Sequence, residues 1–156
     1  MDSACIFEFC SRPSRGFVGQ PGGRSVSVYA NGDVFVRSFV IGEKDPVRER
    51  LAAASPALAE TVQSILERHA DAIAALPEHL DTGVCDGNMQ FFSFGGKRVG
   101  GVMITRKDPE EVRRRNPRYY ERCGAMIACT NTMLDIYNEI AAAVNACGAG
   151  QLLWIM

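Results

Sequence analysis

The sequence predicts an α+β fold, in which an antiparallel sheet of five to six strands packs two long helices on one face. Three observations lead to this prediction: two hairpin-like segments turn at glycines, a segment with helical apolar spacing follows each of them, and short apolar runs lie near both ends. The strands would be the two hairpins plus one strand near each end. Apolar residues make up 47% of the 156 positions and charged residues 22%, which is typical of one globular domain over 1–156.

The first part of the chain predicts a strand and then a hairpin. Residues 5–10 (CIFEFC) are rich in strand-forming residues. A glycine- and proline-rich loop at 11–24 precedes a hairpin over 25–40 that turns at Asn31-Gly32.

The register of this hairpin follows from its valines. A three-residue turn with Gly32 in the left-handed conformation places Val28 opposite Val34 and Val26 opposite Val36, so that the four valines share one face. A two-residue turn would mix valines with charged residues on that face. We therefore expect the three-residue turn.

The first helix is indicated by capping residues followed by prolines. We expect Asp45-Pro46 to open a helix that restarts at Ser55-Pro56 and ends at Pro77. Within it, apolar or packed residues at spacings of three and four form one core-facing stripe: Val62, Ile65, His69, Ile73 and Leu76.

The second half predicts a similar succession. Residues 89–105 form a hairpin around Gly95-Gly96, and Lys107-Asp108-Pro109 begins a further helical stretch. Asn116-Pro117 then starts a long helix that reaches Cys147 and is closed by Gly148.

Matching signals recur at a nearly constant offset. The glycine turns of the two hairpins lie 64 residues apart, and the proline caps of the two helices lie 61 residues apart. A duplicated hairpin–helix unit, at about 25–77 and 89–147, would explain the recurrence. The alternative is that turns and caps reuse the same few residue types.

Two features of the last part predict a homodimer. The long helix is apolar over two adjacent stripes, which suggests contact with the other helix or with a second subunit. Residues 152–156 (LLWIM) predict an apolar strand that must be buried, either in the centre of the sheet or at a subunit contact.

The charge balance argues against two classes of partner. Seventeen basic and 18 acidic residues give a net charge of −1, so bulk charge does not favour nucleic acid or a membrane surface. No apolar run reaches the roughly 18 residues of a membrane helix, and the first residues lack the pattern of a secretory signal. We expect a cytoplasmic protein that binds neither nucleic acid nor membrane.

The six cysteines predict free, mostly buried thiols, because disulfide frameworks belong to short secreted chains. Their spacings do not suit a metal. Cys5 and Cys10 would point to opposite faces of a strand, and Cys123 and Cys129 diverge around a helix. We therefore predict neither a metal site nor a cofactor.

A catalytic cysteine would need a histidine to generate its thiolate. The candidate pair is His79 and Cys85, which could meet across a loop. His69 belongs to the apolar stripe, where packing is the simpler role. No serine-nucleophile motif is present in the sequence.

The run at 113–120 (RRRNPRYY) is the most informative feature of the sequence. A helix N-terminus carries a partial positive charge, so arginines crowded there would be repelled unless an anion lies between them. The negative charge could come from carboxylates of the fold, such as Glu110, Glu111 or Glu121, or the arginines could simply be solvated. Alternatively, a ligand or partner would supply the anion. The candidate ligand-binding residues are Arg114, Arg115, Arg118 and Tyr120.

Taken together, these patterns favour a non-enzymatic binding or protein-interaction module. Its partner would be an anionic small molecule or an acidic protein at the arginine run. Histidines are scarce and no nucleophile has a clear base, which favours this interpretation. The alternative is a small enzyme with a cysteine- or arginine-centred site that acts on an anionic metabolite.

Overall fold

A computed structural model describes residues 3–156, which form seven strands and four helices. The strands are β1 (Cys5–Arg12), β2 (Pro21–Tyr29), β3 (Asp33–Val40), β4 (Arg48–Ala54), β5 (His79–Leu80), β6 (Met89–Phe94) and β7 (Lys97–Val102). The helices are α1 (Pro56–Arg68), α2 (Ala70–Ala74), α3 (Pro109–Arg115) and α4 (Pro117–Asn145).

The seven strands form one sheet in the order β4-β3-β2-β1-β6-β7-β5. The predicted α+β class is confirmed, but the sheet has more strands than expected and is mixed, because β5 pairs parallel to β7. The two predicted hairpins, β2–β3 and β6–β7, lie on either side of β1, which pairs antiparallel with β2 and β6. The duplication of 25–77 and 89–147 stays a prediction.

The β2–β3 hairpin has the register that its valines predict. Val28 pairs with Val34 and Val26 with Val36, and all four are buried. Gly32 has a φ of 95°, and a Cβ at this position would lie 2.3 Å from main-chain atoms just before α1. The turn therefore requires glycine for its conformation and for its contact with the helix start.

The predicted helix at Asp45-Pro46 is wrong. Residues 48–54 form the edge strand β4, which pairs antiparallel with β3. Leucine and three alanines make this segment a good helix former, but ladder hydrogen bonds to β3 outweigh that preference. The helix begins only at the second signal, where the Ser55 side chain accepts a hydrogen bond from the Leu58 N–H at 3.2 Å.

The first helical region is also shorter than expected, because it divides at His69 into α1 and α2. The two long helices of the prediction are thus one of 13 residues, α1, and one of 29 residues, α4. α4 starts at the predicted Asn116-Pro117 cap, and Gly148, with a φ of 99°, follows its end.

The helices and the sheet share one hydrophobic core. The Tyr137 ring of α4 lies 5.3–6.3 Å from the rings of Phe7, Phe9 and Phe92. α1 contributes Val62, which is fully buried, and it contacts α4 beside the sheet. The wide apolar arc of α4 is therefore used within the chain, against the sheet on one side and α1 on the other.

The predicted last strand is wrong. Residues 151–156 form no strand. Leu152 and Leu153 are buried, but Trp154 is 68% and Ile155 58% exposed. Within residues 3–156, no helix combines the length and the apolar character needed to cross a membrane.

Candidate functional site

Most of the arginine run lies at the C-terminus of a helix, not at the N-terminus that the sequence predicted. Arg113, Arg114 and Arg115 form the last turn of α3, not the first turn of α4. The negative end of a helix dipole attracts cations, so these three residues are placed favourably and the predicted repulsion does not arise for them. Only Arg118 lies in the first turn of α4.

Carboxylates and a tyrosine of the fold occupy much of this cluster. Arg113 donates a hydrogen bond of 3.0 Å to the Tyr120 hydroxyl and stacks on its ring at 4.7 Å. Arg113 also lies 3.6 Å from Glu110, and Arg115 lies 3.1 Å from Glu111. Two of the four predicted ligand-binding residues, Arg115 and Tyr120, thus have partners inside the fold.

The other two predicted residues, Arg114 and Arg118, are exposed, and neither forms a hydrogen bond or ion pair with any residue of 3–156. A cavity of about 570 Å³ lies beside Arg114, but it is also lined by carboxylates. Those carboxylates belong to Asp108, Glu110 and Glu111. The anion site that the sequence predicts is therefore reduced to two solvent-facing guanidinium groups.

The surroundings of two cysteines disfavour a thiolate, and the predicted Cys85–His79 pair does not meet. All six are unpaired, but the predicted burial is wrong: Cys5 and Cys85 are exposed and the other four are half-buried. Burial, with the nearby Glu8 carboxylate, raises the pKa of both Cys5 and Cys10, which disfavours a nucleophile. Cys85 and His79 are both exposed, and no hydrogen bond joins them. In the described part of the chain, no cluster of three or more metal-ligating side chains occurs.

A second surface, which the sequence analysis missed, is the face of the sheet opposite the helices. We call it the open face. Cross-strand pairs define its two central rows: Glu8 with Ser27, Ser27 with Phe35, and Phe35 with Leu51; and Cys10 with Ser25, Ser25 with Arg37, and Arg37 with Glu49. Leu51 is 52% exposed, whereas the rings of this face are half-buried by their neighbours.

Arginines cover the aromatic rings of the open face. The Arg12 guanidinium lies 4.4 Å from the Phe39 ring centre, and that of Arg98 lies 4.3 Å from the Phe91 ring centre. A third arginine, Arg37, lies between two rings, 5.3 Å from that of Phe35 and 5.7 Å from that of Tyr29. Guanidinium groups and aromatic rings attract each other in this arrangement, so the face is preordered.

Arg37 is the centre of a hydrogen-bond network on this face. It donates to Glu49 at 2.7 Å, to the Ser27 hydroxyl at 3.1 Å and to the Tyr29 hydroxyl at 2.9 Å. Ser27 in turn donates to Glu8 at 2.7 Å. The central charges of the open face are therefore paired with each other, and the face has no single sign of charge.

Two cavities lie at opposite ends of the open face. One, of about 430 Å³, is lined by residues that include Tyr29, Phe35 and Arg37. The other, of about 420 Å³, is lined by residues that include His79 and Phe91. The sequence signal for this surface is the alternation in β3, where Phe35 and Phe39 share the face that the valines leave.

Comparison with known proteins does not assign this surface. No family of known proteins matches the chain, no curated protein is similar to it, and no solved structure matches it.

Proposed function

We propose that the chain is a non-enzymatic protein-interaction module, and that its open face binds a second copy to form a homodimer. One observation carries the proposal: α1 and α4 pack on one face of the sheet, while the other face presents aromatic rings and arginines. Antiparallel sheets that face water on one side usually carry polar residues there. The open face has polar residues too, but it also carries three arginines stacked on half-buried rings, and arginine and aromatic residues are the types enriched at protein interfaces.

Charge and size both support a second copy as the partner. The open face carries the two acids Glu8 and Glu49 as well as three arginines, so a two-fold related face offers both signs of charge rather than a uniform field. Seven strands spaced by about 4.8 Å and about six residues long cover roughly 30 by 20 Å. That footprint is comparable with the approximately 800 Å² per partner of a stable interface.

We also propose that the protein is located in the cytoplasm. Six unpaired cysteines, of which Cys85 and Cys5 are exposed, suit a reducing environment. The near-zero net charge supports a protein partner over nucleic acid.

Sedimentation velocity tests the interface. Leu51→Asp places a carboxylate on the exposed part of the open face, where burial against a second copy would leave it unpaired. We expect the dimer dissociation constant to rise at least about tenfold, which corresponds to about 1.4 kcal/mol. Val84→Asp is the matched control, because Val84 is 42% exposed and lies in the loop between β5 and β6, outside the strands of this face. Equal dissociation constants for the two variants would contradict the proposal.

A second candidate, an anion or acidic partner at Arg114 and Arg118, is favoured by the lack of partners for these two side chains. Ligand binding raises the unfolding temperature. We expect phosphate to raise Tm in the unmodified chain and in Arg48→Ala, an exposed arginine of β4, but not in the double variant Arg114→Ala/Arg118→Ala. The same response in all three proteins would exclude this site.

A further inference from the structure

Three asparagines recur at an interval of seven residues along α4: Asn131, Asn138 and Asn145. Seven residues are nearly two helical turns, so the three side chains lie on one face of the helix. Asparagine is a poor residue for a helix interior because its amide competes for main-chain hydrogen bonds. A repeated asparagine therefore calls for a specific role.

The first two asparagines each bind the main chain of a single residue at both of its polar groups. The Asn131 side chain accepts a hydrogen bond from the Lys107 N–H at 3.2 Å and donates one to the Lys107 carbonyl at 2.7 Å. The Asn138 side chain accepts from the Met156 N–H at 2.8 Å and donates to the Met156 carbonyl at 2.6 Å. Each amide thus replaces the neighbouring strand that would otherwise bind these groups.

Asn145 holds the same segment further along. Its oxygen accepts from the N–H groups of Leu152 and Leu153, both at 2.9 Å, and its nitrogen donates to the Leu153 carbonyl at 2.7 Å. Arg24 donates to the Leu152 carbonyl at 2.5 Å, and the Tyr137 hydroxyl donates to the Trp154 carbonyl at 2.8 Å. In the described structure, side chains thus supply all the hydrogen bonds that hold the main chain of 151–156.

The spacing along α4 matches an extended polypeptide. Seven helical residues rise about 10.5 Å, and three residues of extended chain cover about 10 Å. Asn145 binds Leu153 and Asn138 binds Met156, three residues later. The segment therefore runs antiparallel to α4 in a nearly extended form, and successive asparagines of the helix bind residues three apart in the segment.

The segment also leaves space beside it. A cavity of about 350 Å³ lies between the segment and the ends of β1, β2 and β6, with Phe9, Leu153 and Met156 among its apolar walls. Gly148 and Gly150, with φ of 99° and 86°, connect the segment to α4, and neither is crowded by other atoms. The segment is thus attached through a glycine hinge and does not fill the groove that holds it.

We propose that this face of α4 and the adjoining cavity form a binding site for an extended apolar segment of a partner protein, which residues 151–156 occupy in cis. The asparagines bind main-chain groups, so their hydrogen bonds do not select among side chains. The buried positions of Leu152 and Leu153 require two consecutive apolar residues. A partner segment with larger side chains would fill the cavity that the chain's own segment leaves empty, which favours exchange.

A dye-labelled synthetic peptide with the sequence of residues 150–156 tests the site by fluorescence anisotropy. The host is the full chain with Leu152→Ser and Leu153→Ser, which weakens the cis segment, and far-UV circular dichroism checks its fold. We expect this host to bind the peptide at least about tenfold more tightly than the unmodified chain does, because the tethered competitor is lost. Adding Asn138→Ala should weaken binding about tenfold, whereas Thr132→Ala, an exposed position on the same helix, should not.

Hydrogen exchange on the unmodified chain gives a second measurement that does not depend on the variants. Excess unlabelled peptide should speed exchange at the Leu152 and Leu153 amides, because their acceptor on Asn145 becomes occupied by the peptide. Unchanged exchange, or equal peptide binding by the released host and the unmodified chain, would overturn the proposal. If Leu51→Asp still dimerises and the added peptide dissociates that dimer, the groove binds a second copy of this chain. That result would also overturn the proposal.

Discussion

Replacing Asn145 with alanine separates α4 from segment 151–156 at its strongest contact. The substitution removes three hydrogen bonds, two accepted from N–H groups and one donated to a carbonyl. Each such bond contributes about 0.5–1.5 kcal/mol net. Alanine is a better helix former than asparagine by up to about 0.7 kcal/mol, so the expected net loss is about 2 kcal/mol.

Calorimetry or thermal denaturation measures this loss. For a chain of this size, 1 kcal/mol corresponds to about 2–4 °C, so Tm should fall by about 4–8 °C. Thr132→Ala on the exposed side of α4 is the control for helix propensity and should leave Tm unchanged or slightly higher. If Asn145→Ala is as stable as Thr132→Ala, Asn145 does not hold the segment, and the assigned role of the α4 asparagines is wrong.

Two further predictions concern the acid limb of stability and the first hairpin turn. A hydrogen bond from Arg68, and a second one from His69, lower the pKa of Glu139 in the folded protein below its ordinary value of 4.5. The ionised Glu139 therefore stabilises the fold above pH 4.5, and this stabilisation is lost as the pH falls through the pKa of the folded state. In Glu139→Gln, the free energy of unfolding measured with urea should therefore depend less on pH below pH 4.5 than in the unmodified chain. The difference should be less than about 1 kcal/mol, because the pair is partly exposed. An unchanged pH profile would contradict the assignment. Gly32→Ala should lower the free energy of unfolding by about 2 kcal/mol or more. Gly95→Ala should lower it less, because a Cβ at Gly32 meets main-chain atoms whereas one at Gly95 meets nothing within 4 Å. Equal losses in urea denaturation would refute this.

The sequence predicted those parts of the fold that depend on local chemistry. The alternation of Val26, Val28, Val34 and Val36 with a glycine turn determined the hairpin register, because one shifted residue would reverse both faces. The proline caps marked the starts of α1, α3 and α4, because a cap side chain acts on a nearby N–H.

The errors arose where distant contacts decide the structure. The segment at 48–54 has helix-forming residues, yet it pairs with β3. Residues 152–156 look like a strand, yet side chains of α4 satisfy their main chain. Neither partner is visible in the local pattern, since each lies outside the window that shows periodicity.

The candidate sites differ in the same way. The arginine run was found from its composition, but its location at the end of α3 follows from two caps, Asp108 and Asn116, which leave room for a helix of only seven residues between them. The open face depends on which side of the sheet the helices cover, and alternation alone does not determine that. The three asparagines at seven-residue intervals are visible in the sequence, whereas the segments they bind are not.

Sedimentation velocity of the unmodified chain over about 1–100 µM, a range that covers dissociation free energies near 6–8 kcal/mol, tests the proposed homodimer most directly. We predict a concentration-dependent shift from monomer to dimer, which Leu51→Asp abolishes and Val84→Asp leaves unchanged. A single monomeric species throughout this range, or a dimer that Leu51→Asp does not weaken, would contradict the assignment of the open face as the interface.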